Sequence, residues 1–222
     1  MPMRVVPRRD RTLYRFIKRS ETLPLRKGEV LYREGDSPVS LYLVREGHLR
    51  LTEGREGSKG RTVGLAGPWE LAGGEALIPW ATRRTGARAG EKAQVTVLDG
   101  RAVNRVLKGS TKTLEAYLQA MEEELGQNRT LARLSRPGGV PGRLATILLG
   151  LSSRLGIEEE GKKGVLIPHP ITHGVLAELS RCHRSTVTTL MNEWIYDGLL
   201  ADADRGIRIL RPGALQKAVK GP

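Results

Sequence analysis

The residues whose types and spacing bear most on chemistry lie between Ile171 and Leu200. Arg184, Ser185, Thr188 and Thr189 recur at i, i+1, i+4 and i+5, which puts them on one face of a helix. An arginine there can donate two bonds to the O6 and N7 atoms of guanine, and small hydroxyl residues can meet phosphates, base edges or a thymine methyl. His183 directly precedes the run and Thr186 lies inside it, both within reach of a phosphate. Thr172 and His173 open a shorter apolar pattern upstream. Such a set of donors is suited to double-stranded DNA. It leaves Arg184, His183, Ser185, Thr186, Thr188, Thr189, Thr172 and His173 as the candidate contacts.

Other chemistries find little support. The four histidines, His48, His169, His173 and His183, have no mutual spacing that suits a metal or a heme. A cupin-like metal site would want a His-x-His cluster, and no second histidine lies two residues from His48. Cys182 is the single cysteine, so a disulfide framework, a thiolate zinc site and an iron–sulfur cluster are excluded. No nucleophile motif and no phosphate-binding Gly-x-x-x-x-Gly-Lys is present, so no catalytic residue is assigned and an enzyme is not expected.

The elements that must position these residues can be read from periodicity. Thr172 can cap a short helix carrying Val175, Leu176 and Leu179. Ser180-Arg181-Cys182 reads as a turn. A second helix starts near His183, carries Val187, Leu190, Met191, Trp194 and Ile195, and ends with Gly198 as its cap. A hairpin with Asp204-Arg205-Gly206 at its tip follows. Two short helices, a tight turn and a hairpin describe a winged helix-turn-helix. Upstream, Pro137, Pro141 and three glycines within residues 136–142 interrupt helix and read as a hinge, with Pro141 fit for the first turn of the next helix.

Before the hinge, Leu114, Leu118, Met121, Leu125, Asn128 and Ala132 recur at spacings of 4-3-4-3-4, a heptad seam on a long helix capped by Ser110 or Thr111. Such a seam predicts a partner helix, hence a homodimer. Residues 22–110 read as many short strands divided by glycine turns, an antiparallel sandwich or barrel. The fold class expected is therefore α+β: an antiparallel β-roll, jelly-roll-like, with the N-terminal tail (1–110), a central dimerisation helix (111–136) and a winged helix-turn-helix (137–222).

Charge agrees with an anionic partner without locating it. The chain's 222 residues carry a formal +13 and a pI of about 10.4. Residues 1–20 hold seven basic residues against one acid, and residues 83–112 hold eight against two. Residues 136–222 hold twelve against eight, so they contribute only +4. With no apolar run of about 18 residues and no leader-like N-terminus, a cytoplasmic protein with no membrane span is expected.

Three stretches carry a family resemblance. They are Arg181-Cys182-His183-Arg184-Ser185-Thr186-Val187-Thr188-Thr189-Leu190, the upstream Gly142-Arg143-Leu144-Ala145, and in the first half Lys27-Gly28-Glu29 through Gly35-Asp36 with Leu41-Tyr42-Leu43-Val44 and Gly47. Together they resemble the CRP/FNR transcription regulators, with a cyclic-nucleotide-binding-like β-roll ahead of the DNA-binding domain. The resemblance implies a homodimer on a palindromic operator, with recognition helices in successive major grooves about 34 Å apart. It also implies contact with RNA polymerase, for which the loop Gly156–Gly164 is the candidate, and so an activator.

Three positions depart from that family's pattern. Arg181 stands where glycine is usual, Ser185 where a glutamate reads a base, and Thr189 where an arginine follows it. The half-site is therefore expected to differ from the common TGTGA. In the pocket that holds cyclic AMP in such proteins, Gly74, Glu75 and Ala76 match, and the Arg-Ser pair becomes Arg84-Thr85 or Arg83-Arg84, depending on register. The Thr-Ser pair that meets adenine becomes Asn128-Arg129. The readings left open are no required effector, which is preferred, another small effector, and cyclic AMP.

Overall fold

The computed structural model describes residues 16–54, 60–115, 117, 118, 139–168, 171–204 and 206–220. The chain divides into two units, residues 1–125 and 126–222.

In the first unit the alternating and short apolar runs form β1 (Thr22–Leu25), β2 (Val30–Tyr32), β3 (Ser40–Glu46), β4 (Leu49–Glu53), β5 (Arg61–Ala66), β6 (Leu71–Ala72), β7 (Gly86–Ala89) and β8 (Ala93–Asp99). They build two sheets, ordered β1-β8-β3-β6 and β2-β7-β4-β5, with antiparallel pairing in both. The two sheets face each other across a core of Leu25, Val44, Leu49, Ala66, Ala72, Ala89, Ala93 and Val95. At the β3–β4 turn Gly47 has φ 69°, and a Cβ there would collide with the Lys92 carbonyl.

The run Leu41-Tyr42-Leu43-Val44 is apolar on both faces for a reason. Val44 points into the inter-sheet core, while Leu41, Leu43 and Leu98 cluster on the opposite face with Ile17, Val103 and Leu107. The last two belong to α1 (Gly100–Lys108), a helix where the sequence reading expected further strands up to residue 110. Asp99 starts it, its Oδ1 accepting from the Ala102 N–H at 2.7 Å. Strand patterning fails there because Ala102, Val103, Val106 and Leu107 repeat at helical spacing.

Ser110 caps the next helix, its Oγ accepting from the Thr113 N–H at 3.2 Å. Helix continues through Thr111–Glu115, and Leu114 and Leu118 are exposed on the single chain. Met121, Leu125, Asn128, Arg129 and Ala132 lie outside the described residues.

The second unit holds α2 (Gly139–Leu155), β9 (Val165–Ile167), α3 (His173–Ser180), α4 (Arg184–Tyr196), β10 (Leu200–Ala203), β11 (Gly206–Ile209) and α5 (Pro212–Lys220). Pro141 sits in the first turn of α2, which opens two residues earlier, at Gly139. The strands form one antiparallel sheet, β10-β11-β9. Leu144, Leu148, Leu151, Leu176, Val187, Met191 and Leu200 are buried with Leu215 of α5, a helix that the sequence reading did not name. The architecture is α+β, an antiparallel β-domain followed by a winged helix-turn-helix.

Candidate nucleic-acid interface and effector pocket

The geometry of the helix-turn-helix follows from its caps. Thr172 is the N-cap of α3, its Oγ1 accepting from the Val175 N–H at 3.3 Å. At the other end Arg181 adopts the left-handed conformation, φ 53° and ψ 52°. Its N–H bonds the Glu178 carbonyl, and the Cys182 N–H bonds the Ala177 carbonyl. Those two bonds close the helix end and reverse the chain within three residues. Arg143 of α2 donates from Nε to the Ser180 carbonyl at 2.8 Å, satisfying one more oxygen at that end. Ser180 is fully buried, its Oγ donating to the Leu176 carbonyl and lying 3.1 Å from the Cys182 Sγ.

His183 is the N-cap of α4 without a side-chain cap bond, and it is exposed. Val187, Met191 and Trp194 anchor α4 in the core. That leaves Arg184, Ser185 and Thr189 exposed on the opposite face. Asn192 extends this face by one turn, a position that the sequence reading passed over; its spacing of i+3 from Thr189 was the available signal. The C-terminal cap is Asp197, with Gly198 one residue beyond at φ 68°, so the expected cap assignment moves by one.

Two expected contacts turn inward. The Thr188 Oγ1 donates to the Arg184 carbonyl at 3.0 Å and lies 3.0 Å from the His173 Nδ1. With its one proton on the carbonyl, the hydroxyl accepts from Nδ1–H, which ties the start of α3 to α4. Thr186 is half-buried and Thr172 exposed.

Behind β11, Arg208 pairs with Glu159 of the 156–164 loop, and Lys162 lies 3.4 Å from the same carboxylate oxygen. The hydrogen bond from Arg208, aided by the nearby Lys162, holds the Glu159 carboxyl below its ordinary range.

In the first unit Gly74, Glu75 and Ala76 lie in a 3₁₀ turn, Gly74–Leu77. Arg83 is 3% exposed. Its Nη1 donates to the Gly73 carbonyl at 2.7 Å and sits 3.4 Å from the Glu75 Oε2, and its Nη2 donates to the Ser40 carbonyl. The guanidinium carbon lies 4.1 Å from the Tyr32 ring centroid and 5.8 Å from that of Tyr42, and the two rings stack. Among the described residues Arg83 Nε has no hydrogen-bond partner. Burial raises the Tyr32 phenol far above its ordinary range, opposed by the Arg83 charge and by a hydrogen bond with Thr85. Arg84 is exposed, its N–H donating to the Glu75 Oε1 at 3.3 Å. Asn128 and Arg129, the remaining expected pocket residues, lie outside the described residues.

Comparison with known proteins bears on both halves. Residues 22–110 match the cyclic nucleotide-binding domain, and residues 142–218 match the Crp-like helix-turn-helix domain. The CRP-like cAMP-activated global transcriptional regulator of Mycobacterium tuberculosis is 24% identical over 206 residues, covering 87% of this chain and 90% of the relative. The cyclic AMP receptor protein of Thermus thermophilus is 28% identical over 193 residues, covering 86% of this chain and 80% of the relative. A crystal structure of TTHA1359, described as a CRP/FNR-family transcriptional regulator from Thermus thermophilus, superposes with a TM-score of 0.62 at 28% identity, covering 90% of this chain and 98% of that one.

Proposed function

This chain belongs to the CRP/FNR family of transcriptional regulators, and from that premise we propose that it is a homodimeric activator needing no small-molecule effector. It binds a palindromic site on double-stranded DNA in the cytoplasm through the exposed face of α4 and has no catalytic role. Arg184 reads guanine, while Ser185 and Thr189 meet phosphate or base edges. Leu114 and Leu118, exposed on the single chain, begin the dimer seam. RNA polymerase is met by the 156–164 loop, where Glu158, Glu160, Lys162 and Lys163 are exposed.

The observation that carries effector independence is Arg83. In the Arg83-Arg84 register it fills the place of the phosphate-holding arginine, yet its guanidinium is engaged by the Gly73 and Ser40 carbonyls, Glu75 and the Tyr32 ring. An incoming phosphate would have to replace these buried bonds rather than meet an open donor. A gated regulator, taking cyclic AMP or another anionic effector, remains the second reading. It is favoured by Arg84, whose exposed side chain follows the intact Gly74-Glu75 turn.

Selection of DNA sites by the purified apo protein tests both. A palindrome enriched without added nucleotide, and lost by at least about tenfold in affinity in Arg184→Ala but not in Lys162→Ala, is the expected result. Equal effects of the two substitutions would remove the site assignment. Submicromolar cyclic AMP binding in calorimetry, with enrichment only in its presence, would replace the effector-independent reading by the gated one.

A further inference from the structure

Arg181 has a backbone conformation that L-residues avoid. With φ 53° and ψ 52°, it sits in the left-handed region where glycine is at ease and a Cβ crowds its own carbonyl. The turn demands that conformation from whatever residue stands there, because the Cys182–Ala177 backbone bond reverses the chain at this point. Nothing local compensates for the long side chain. Arg181 is exposed, and among the described residues its guanidinium has no carboxylate, carbonyl or ring partner. It stands three residues before Arg184, so residues 181–184 present Arg181, His183 and Arg184 together on the surface. A strained, partnerless cation beside a set of DNA-facing donors points to a partner outside the chain.

We propose that Arg181 is a further DNA contact, binding a phosphodiester of the duplex backbone from the turn that precedes the recognition helix. The inference rests on the DNA-binding reading of α4. The ligand is the phosphate rather than a base, because the residue lies in the turn outside the helix, on a long flexible stem. The contact adds charge neutralisation, so it strengthens binding to all sequences alike.

The experiment compares full-length wild type with Arg181→Gly, Arg181→Lys and Arg184→Ala. Each is titrated into a selected and a scrambled duplex over a range of salt, and each is melted without DNA. Arg181→Gly is expected to melt a few degrees higher, because glycine accepts the conformation without strain. In the proposed homodimer each protomer loses one phosphate contact, so it is also expected to bind both duplexes about 25-fold more weakly, about fivefold per protomer, with a log–log salt slope smaller by about 1.8. Arg181→Lys keeps the cation and the strain, and should keep the wild-type slope and melting point. Wild-type affinity and slope in Arg181→Gly would overturn the inference, as would a changed base preference in that variant. Failure of the DNA reading shows elsewhere, as a wild type and an Arg184→Ala that bind both duplexes equally.

Discussion

Two arginines, one in each unit, meet opposite fates, and the contrast bears on the role proposed for each half. Arg83 has an enclosed guanidinium, held by two carbonyls, a carboxylate and an aromatic face. Arg181 has an exposed guanidinium on a backbone in the left-handed region. The first carries its cost in desolvation, offset by bonds within the protein. The second carries its cost in the main chain, with no side-chain offset among the described residues of its own unit. A pocket whose cation faces inward has little left to offer a ligand, whereas a turn whose cation faces outward has everything left to offer. The effector-independent reading proposed above rests on the first arginine, and the proposed backbone contact with DNA on the second.

The most severe way to break this contrast is to remove the inward cation. Arg83→Met keeps much of the stem's volume but leaves the Gly73 and Ser40 carbonyls and the Glu75 carboxylate short of donors. Orphaned buried groups cost about 1–3 kcal/mol each, partly relieved by water, so a loss of about 2–4 kcal/mol is expected. Urea unfolding of the full chain measures it as a lower midpoint. Wild-type stability in Arg83→Met would mean that the cation is not needed inside and is free for an effector.

A smaller effect sharpens the other side. Thr188 was among the expected DNA contacts, but its hydroxyl bonds the Arg184 carbonyl and the His173 imidazole. Thr188→Val keeps the shape and deletes the link between α3 and α4. One hydrogen bond of about 1 kcal/mol in each protomer converts to roughly fivefold weaker DNA binding per protomer. Because the residue positions the helix and does not read a base, the preferred half-site should stay the same. Thr188→Ser should restore affinity. A shifted base preference in site selection would return Thr188 to the reading face.

How much of this was legible in the sequence depends on whether the signal was local. The α3–turn–α4 unit was legible because caps and apolar spacing are local: Thr172, His183 and the Val187–Met191–Trp194 stripe each act within one or two turns. That Arg181 stands where glycine is usual was legible; that the turn holds it at φ 53° is a finding of the structure. Helix α1 was missed because Asp99 also ends the apolar run of β8, so one residue closes a strand and caps a helix. The inward turn of Arg83 was not legible either. Its partners Ser40, Gly73 and Tyr32 are brought to it from separate strands and turns, and no spacing rule links them. Similarly, the exposed pattern of α4 put Thr188 on the reading face, and only the approach of His173 from another helix explains why it is engaged.

Arg208 stands between the two extremes and gives the subtlest test. Like Arg83 it is buried to more than nine-tenths, but its anchor is the partly exposed Glu159 carboxylate, whereas Arg83 holds two main-chain carbonyls as well as the Glu75 carboxylate. Carbonyls do not titrate and a carboxylate does, so this anchor should be the more sensitive of the two to acid. The Arg208 hydrogen bond lowers the Glu159 carboxyl in the folded protein. A depressed folded value means that the folded state favours the ionised form. The stabilisation is then fully present above the unfolded carboxylate value of about 4.3 and is lost as pH falls through the lower folded value. Glu159→Gln should therefore melt below wild type at neutral pH, with the difference shrinking below about pH 4 and vanishing in stronger acid. The measurement is the difference in melting temperature between the two proteins at each pH, which cancels the titration of the other acids. A difference that stays constant down to about pH 3, below the unfolded value, would show that Arg208 does not depend on the Glu159 charge. The wing strand would then be held, as Arg83 is held in part, by groups that do not titrate.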